Sequence, residues 1–167
     1  RPREGRFEGS RALAEILDLL EAAFPGVPVI LDAKRGDIAT SSRNYALEAF
    51  SSWKCDAVTV SPYMGSDSVG PFLQFNRGVY VLCRTSNPGA VDFQELSVNG
   101  SALFTHVAGK IREWSEAAPG IGAVVGATSP DELQQAAELV ADIPVPLLIP
   151  GVGSQGGSGR ETVSRLQ

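Results

Sequence analysis

Histidine and methionine each occur once in this sequence, and cysteine and tryptophan twice. The lone histidine, His106, falls mid-helix and far in sequence from every strand end, which excludes most Ser–His and His–metal mechanisms. Cys55 and Cys83 make neither a disulfide framework nor a zinc site. They read as reduced, buried thiols of a cytoplasmic protein. No apolar run reaches the about eighteen residues of a membrane span, and Arg1-Pro2-Arg3-Glu4-Gly5-Arg6 is not the start of a secretory signal. A net charge of −5 argues against a general nucleic-acid binder, which is normally basic. It leaves room for a small anionic substrate in a locally positive pocket. No low-complexity segment or linker interrupts the chain, so residues 1–167 read as one domain.

Helical periodicity alternates with short apolar runs. Ser10 to Phe24 carries Leu13, Ile16, Leu17 and Leu20 near 3,4-spacing and reads as an amphipathic helix ended by Pro25-Gly26. Strands are expected at Val27–Leu31, Asp56–Val60, Gly78–Cys83, Ile121–Val125 and Val145–Ile149. Helices are expected at Ser41–Trp53, Ser68–Phe75, Ser101–Ala118, Pro130–Ala141 and Gly159–Leu166, with Trp53 and Trp114 as packing residues. Ser86 to Gly100 is the longest irregular stretch. Five strand–helix alternations imply a parallel sheet covered by helices. The first strand lacks a following Gly-x-Gly-x-x-Gly, which weakens an open dinucleotide-binding sheet. A closed (β/α)8 barrel needs eight strands and roughly 200 residues, so the alternatives are an open fold or an incomplete barrel.

Polar residues gather at the strand ends, where parallel α/β folds carry their sites. In Leu31-Asp32-Ala33-Lys34-Arg35-Gly36-Asp37, strand alternation puts Asp32 and Lys34 on one side, with Asp37 just beyond. Two carboxylates around one ammonium could repel a substrate carboxylate and then deliver a proton to the carbon left behind. Equally, they could be an ion-pair network closing the sheet end. Ser61-Pro62-Tyr63-Met64-Gly65 reads as a turn. Arg84-Thr85-Ser86-Asn87-Pro88 offers small hydrogen-bonding groups for the edge of a planar base, or simply a turn. The glycines of Pro150-Gly151-Val152-Gly153-Ser154-Gln155-Gly156-Gly157 could let backbone amides converge on a phosphate.

Taken together these loops resemble one family. Asp32-x-Lys34-x-x-Asp37 is similar to the signature of the orotidine 5′-monophosphate decarboxylases, and the Ala33-Lys34-Arg35-Gly36 wording resembles its bacterial-type branch, also found in fused UMP synthases. Ser61 to Ser68, Leu82 to Pro88, Val124 to Thr128 and Pro150 to Gly157 match that branch in order. The resemblance implies a TIM-barrel fold and cofactor-independent decarboxylation of orotidine 5′-monophosphate to UMP, with no metal. It implies that Lys34 protonates C6 and that Asp32 stresses the departing carboxylate. Asp37 would reach into the site of a second subunit, making a homodimer with shared sites. Ser86, with Thr85 beside it, would bond the pyrimidine. Gln155, followed by Gly156, would bridge base and phosphate on a closing loop.

There are departures. Where the family has a threonine after its second aspartate, this chain has Ser41, with Thr40 just before it, as candidate ribose contacts. Arg1 stands where the family has a lysine. The five strands resemble strands 3 to 7 of eight, so the barrel is expected to be incomplete at both ends, and Arg160 comes too early to be the family's phosphate-binding arginine. Two rival readings remain. One is a metal-dependent sugar-phosphate aldolase of the same superfamily. The other is a catalytically incomplete paralogue that binds nucleotide or pairs with a full-length subunit.

Overall fold

The computed structural model describes residues 7–153 and 155–166; Arg1, the residue at the family's lysine position, lies outside them. Five parallel strands form one sheet in the order β1-β2-β3-β6-β7. These are β1 (Ile30–Arg35), β2 (Ala57–Val60), β3 (Gly78–Arg84), β6 (Ile121–Val125) and β7 (Leu147–Leu148). The helices are α1 (Glu8–Ala23), α2 (Ala39–Leu47), α3 (Ser66–Leu73), α4 (Leu103–Ala117), α5 (Pro130–Val140) and α6 (Gly159–Ser164). A single π-helical stretch, Glu48–Ser52, continues α2. The alternation read from the sequence is therefore present element by element.

Strands β2 and β6 are buried along their whole length, as parallel strands covered on both faces should be. Val58, Val60, Val79, Val81, Ile121 and Ala123 join Phe72, Phe104, Ile111 and Leu133 of the helices in one core. Alternation turns Thr59, Tyr80 and Gly122 to the other face, and the ladder sets them side by side, Thr59 against Tyr80 and Tyr80 against Gly122. Gly122 has to be glycine there, because a Cβ would come within 2.6 Å of the Tyr80 ring.

Two elements differ from the sequence reading. Strand β1 runs Ile30–Arg35 rather than Val27–Leu31. The β-branched run before it ends at the sheet's lower edge, and the charged signature is itself the strand. The stretch Ser86 to Gly100 is less irregular than expected. It holds a 3-10 turn at Pro88–Asp92 and leads into a small hairpin of β4 (Ser97–Val98) and β5 (Ser101–Ala102). Asn99 and Gly100 turn it with φ of +52° and +86°, the Asn-Gly signal for a tight hairpin. His106 lies exposed on α4, its Nε2 2.9 Å from the Val98 carbonyl.

Both cysteines are free and buried. Burial pushes the Cys83 thiol up to about 12, which marks it as a packing group rather than a nucleophile. Helix α1 contributes no fully buried residue. A cavity of about 470 Å³ lies between it and Trp53–Asp56, at the strand starts. None of Asp32, Lys34, Ser86 or Gln155 lines it. No described helix is long and apolar enough to cross a membrane.

Ile111 is fully buried between α4 and the sheet. Ile111→Ala should lower the unfolding free energy of the natural full-length protein by about 2–5 kcal/mol. A denaturant titration reads this, and an unchanged midpoint would contradict the placement of the core.

Candidate active site

Parallel strands end together, so the β1–α2, β2–α3, β3–α4, β6–α5 and β7–α6 loops share one rim of the sheet. At that rim Lys34 Nζ lies 2.6 Å from Asp32 Oδ2. Both side chains are more than half exposed, 53% and 60%. An ion pair this open contributes about 1 kcal/mol or less to folding, so stability alone does not account for it.

The backbone around it is strained. Lys34 has φ of +47°, a left-handed conformation that costs a non-glycine residue roughly 1–3 kcal/mol. The β1–β2 ladder shifts register across it, pairing Leu31 with Val58 but Arg35 with Val60. The Lys34 N–H is thereby turned out of the ladder and donates instead to Thr59 Oγ1 at 2.9 Å. The same hydroxyl donates to Asp32 Oδ1 at 2.8 Å. Burial alone would raise the Asp32 carboxyl, but the hydrogen bonds from Lys34 and Thr59 and the Lys34 charge outweigh it. The carboxyl is held below its ordinary range.

Asp37 is placed differently from the expected pair of carboxylates about one ammonium. Its Oδ1 accepts from the Ile38 N–H at 2.7 Å, and among the described residues no ion pair joins it to Lys34. The loop is closed by Ser42, whose buried hydroxyl donates to the Asp37 carbonyl at 2.7 Å. Of the two expected hydroxyls, Thr40 is exposed and Ser41 half-buried at the start of α2.

The β3–α4 and β7–α6 loops do meet. Ser86 Oγ donates to Gln155 Oε1 at 2.6 Å, across 69 residues of chain. Thr128 donates to the Ser86 carbonyl at 3.2 Å. Gly151, with φ of +94°, packs so closely that a Cβ would lie 3.1 Å from both Ser86 Cβ and Gln155 Oε1. The glycine loop is folded on itself. The amides of Gly153, Gly156 and Gly157 donate to the carbonyls of Gly157, Gly153 and Gly151 at 2.9, 2.9 and 3.0 Å. In this conformation those three amides do not converge on an open phosphate site. Thr85 is likewise engaged within its loop, with Gln94 accepting from its N–H and donating to its hydroxyl, both at 2.8 Å.

Sequence reasoning passed over Arg84 and its partners. Arg84 is 5% exposed. Its Nη2 bonds Glu95 Oε1 at 2.7 Å, and Nη1 bonds the Thr85 carbonyl. Nε lies 2.6 Å from Glu132 Oε2, close in distance but out of line for a hydrogen bond. One guanidinium thus ties the end of β3 to the turn before the hairpin and to the first turn of α5. A charged residue within a strand-end motif was the only available signal, and its partners lie 11 and 48 positions away.

Comparison with known proteins agrees with the architecture. The orotidine 5′-phosphate decarboxylase / HUMPS family model matches residues 4–166. The orotidine 5′-phosphate decarboxylases of Cupriavidus taiwanensis and Cupriavidus metallidurans are each 50% identical over 98% of this chain, which spans 61% of their length. Among solved structures, a Leishmania donovani UMP synthase superposes with a TM-score of 0.89 at 41% identity, over 96% of this chain and 35% of that one. The OMP decarboxylase of the same organism superposes at 0.83 and 39% identity, over 96% and 60%. The five-stranded parallel sheet is part of a TIM barrel.

Arg84→Met should cost about 3 kcal/mol, because two carboxylates lose their buried partner. Urea unfolding of the full-length protein checks this, and a loss below about 1 kcal/mol would show that the cluster contributes no more than a solvated surface ion pair does.

Proposed function

The chain belongs to the orotidine 5′-phosphate decarboxylase / HUMPS family, and from that membership we propose that the protein containing it converts orotidine 5′-monophosphate to UMP and CO2 in pyrimidine synthesis. The observation that carries this reading is the 2.6 Å Lys34–Asp32 pair at the same rim as the Ser86–Gln155 contact. The first is suited to the carboxylate and C6 of the substrate, and the second to its base and phosphoester.

In this mechanism the bond between C6 and the carboxylate breaks, CO2 leaves, and the electron pair stays at C6. The Lys34 ammonium supplies the proton to that carbon and is reprotonated from water. Asp32 stands beside the departing carboxylate. Like charge there raises the ground state, and the repulsion is relieved as CO2 leaves. The chemistry calls for no cofactor. Ser86 and Gln155 bond each other across the rim. Both are freed to bond the pyrimidine and phosphate as the glycine loop rearranges over the substrate. Gly156 supplies the turn, with φ of +92°. Thr85 shapes the base-reading loop, and Thr40 or Ser41 reaches the ribose.

We also place the active unit in a homodimer. Among the described residues the Asp37 carboxylate accepts from the Ile38 N–H alone, which leaves it able to enter a second subunit's site. Ile38, next in the chain, and Tyr63, on the neighbouring β2–α3 loop, are 60% and 83% exposed, apolar surface suited to a second copy. Two free, buried thiols fit a reducing, cytoplasmic setting. The aldolase alternative is the weaker reading, because the two Cupriavidus relatives at 50% identity carry the decarboxylase name.

Assay of the natural full-length protein tests the reading. Lys34→Ala should lower kcat by at least about a thousandfold while UMP still binds; a rate within tenfold of the original would remove Lys34 from the chemistry. Turnover lost to a chelator would favour the aldolase. Mixing inactive Lys34→Ala and Asp37→Ala subunits should restore activity in the hybrid dimers. Absence of rescue would refute shared sites.

A further inference from the structure

We propose that Thr59, buried on β2, is the positioning residue of the site: its one hydroxyl holds the Lys34 backbone in the bulged conformation and aims the Asp32 carboxylate at the ammonium. This rests on the decarboxylase reading above and names a group that the signature motif does not contain.

The geometry leaves the hydroxyl one arrangement. Thr59 is 1% exposed, so water does not compete for its bonds. Its oxygen accepts from the Lys34 N–H at 2.9 Å. That donor is left over because the register shift between Leu31 and Arg35 takes Lys34 out of the ladder. A hydroxyl has a single hydrogen, and here it is directed to Asp32 Oδ1 at 2.8 Å. The other carboxylate oxygen, Oδ2, then faces Lys34 Nζ at 2.6 Å. Each carboxylate oxygen has its own donor, and the plane of the group is set. Asp32 is open to solvent and its ion pair is worth little in water. Without the buried hydroxyl the pair would sample many geometries.

The same hydroxyl explains how Lys34 keeps φ at +47°. A left-handed lysine needs its surroundings to hold it, and a buried, unbonded N–H would add a further penalty. The bulge puts Lys34 and Asp32 on one side with their charged ends in contact, and Thr59 is what satisfies the bulge.

The groups around Asp32 are few. On its own strand there is Lys34. Arg35 turns to the opposite face, where it pairs with Glu48 at 3.0 Å and stacks over Tyr45. From the sheet, β2 presents Thr59, with Tyr80 of β3 next in register. Asp56 and Arg77 pair with each other at the strand starts. Among the described residues, Lys34 and Thr59 are the only donors to the Asp32 carboxylate. Losing the Thr59 bond removes a group that favours its charged form.

The test is steady-state decarboxylation across pH by the natural full-length protein with Thr59→Val, Thr59→Ser and Thr59→Cys. Valine keeps the shape and deletes the hydroxyl. Thr59→Val should lower kcat about tenfold to a hundredfold, the worth of a hydrogen bond to a charged group, and move the acid limb of kcat/KM to higher pH. UMP affinity should change little. Thr59→Ser should restore the wild-type limb, and Thr59→Cys, a weaker donor, should fall between. If Thr59→Val is too poorly folded to assay, the order of limbs from threonine through serine to cysteine decides. A valine variant with the wild-type rate and pH profile overturns the role. So does activity that falls only with the folded fraction while the acid limb stays in place, which would make Thr59 structural alone. Were the unsubstituted protein unable to decarboxylate orotidine 5′-monophosphate, the function and this role would fall together; turnover indifferent to Thr59 would sink this role and leave the function standing.

Discussion

Between Leu31 and Arg35 the ladder of β1 slips against β2, and Lys34 sits in that slip with a left-handed backbone. The rim of the sheet is organised around this irregularity. A regular strand would carry Asp32 and Lys34 on one face without a break in the ladder. The bulge instead releases one amide to a side chain and brings the ammonium back onto the carboxylate two residues before it. Strain of roughly 1–3 kcal/mol exceeds what an exposed ion pair returns. The bulge is held from the neighbouring strand, where the Thr59 hydroxyl, 1% exposed, takes the released amide.

A second constraint comes from parallel pairing. Because the strands of the main sheet run the same way, loops distant in sequence are delivered to one edge. Ser86 and Gln155 meet there from opposite sides of β6. Glycine at 126 and 151 is what allows the approach. A Cβ on Gly126 would come within 2.8 Å of Ser86, and one on Gly151 within 3.1 Å. Arg84 secures the same loop from below, with Glu95 and Glu132 on either side. The β3–α4 loop is therefore held by buried charge and by missing side chains rather than by apolar packing of its own; Val91, Phe93 and Leu96 are all more than half exposed.

Much of this was legible in advance. The positions of β2, β3 and β6, the helix following each strand, and the burial of both thiols follow from periodicity and composition. Asp32 and Lys34 could be assigned to one side because strand alternation is local. The place of Asp37 relative to Lys34 was not legible, because a loop residue has no fixed periodicity; its carboxylate accepts from the next amide. The glycines of the last loop could let amides converge on a phosphate, whereas three of those amides close on the loop's own carbonyls. That choice depends on the path of the whole loop, not on its glycine count.

What the chain's order of residues determined by itself is the alternation of strand and helix, the side to which each strand residue points, and the family signature carried at the strand ends. Each rests on interactions within a few residues, or on identity at matched positions. What only the tertiary structure decided is which groups touch: Thr59 with Asp32 and Lys34, Ser86 with Gln155, and Arg84 with Glu95 and Glu132. Those pairs are separated by 11 to 69 residues, and only the register of a parallel sheet converts such separations into bond lengths.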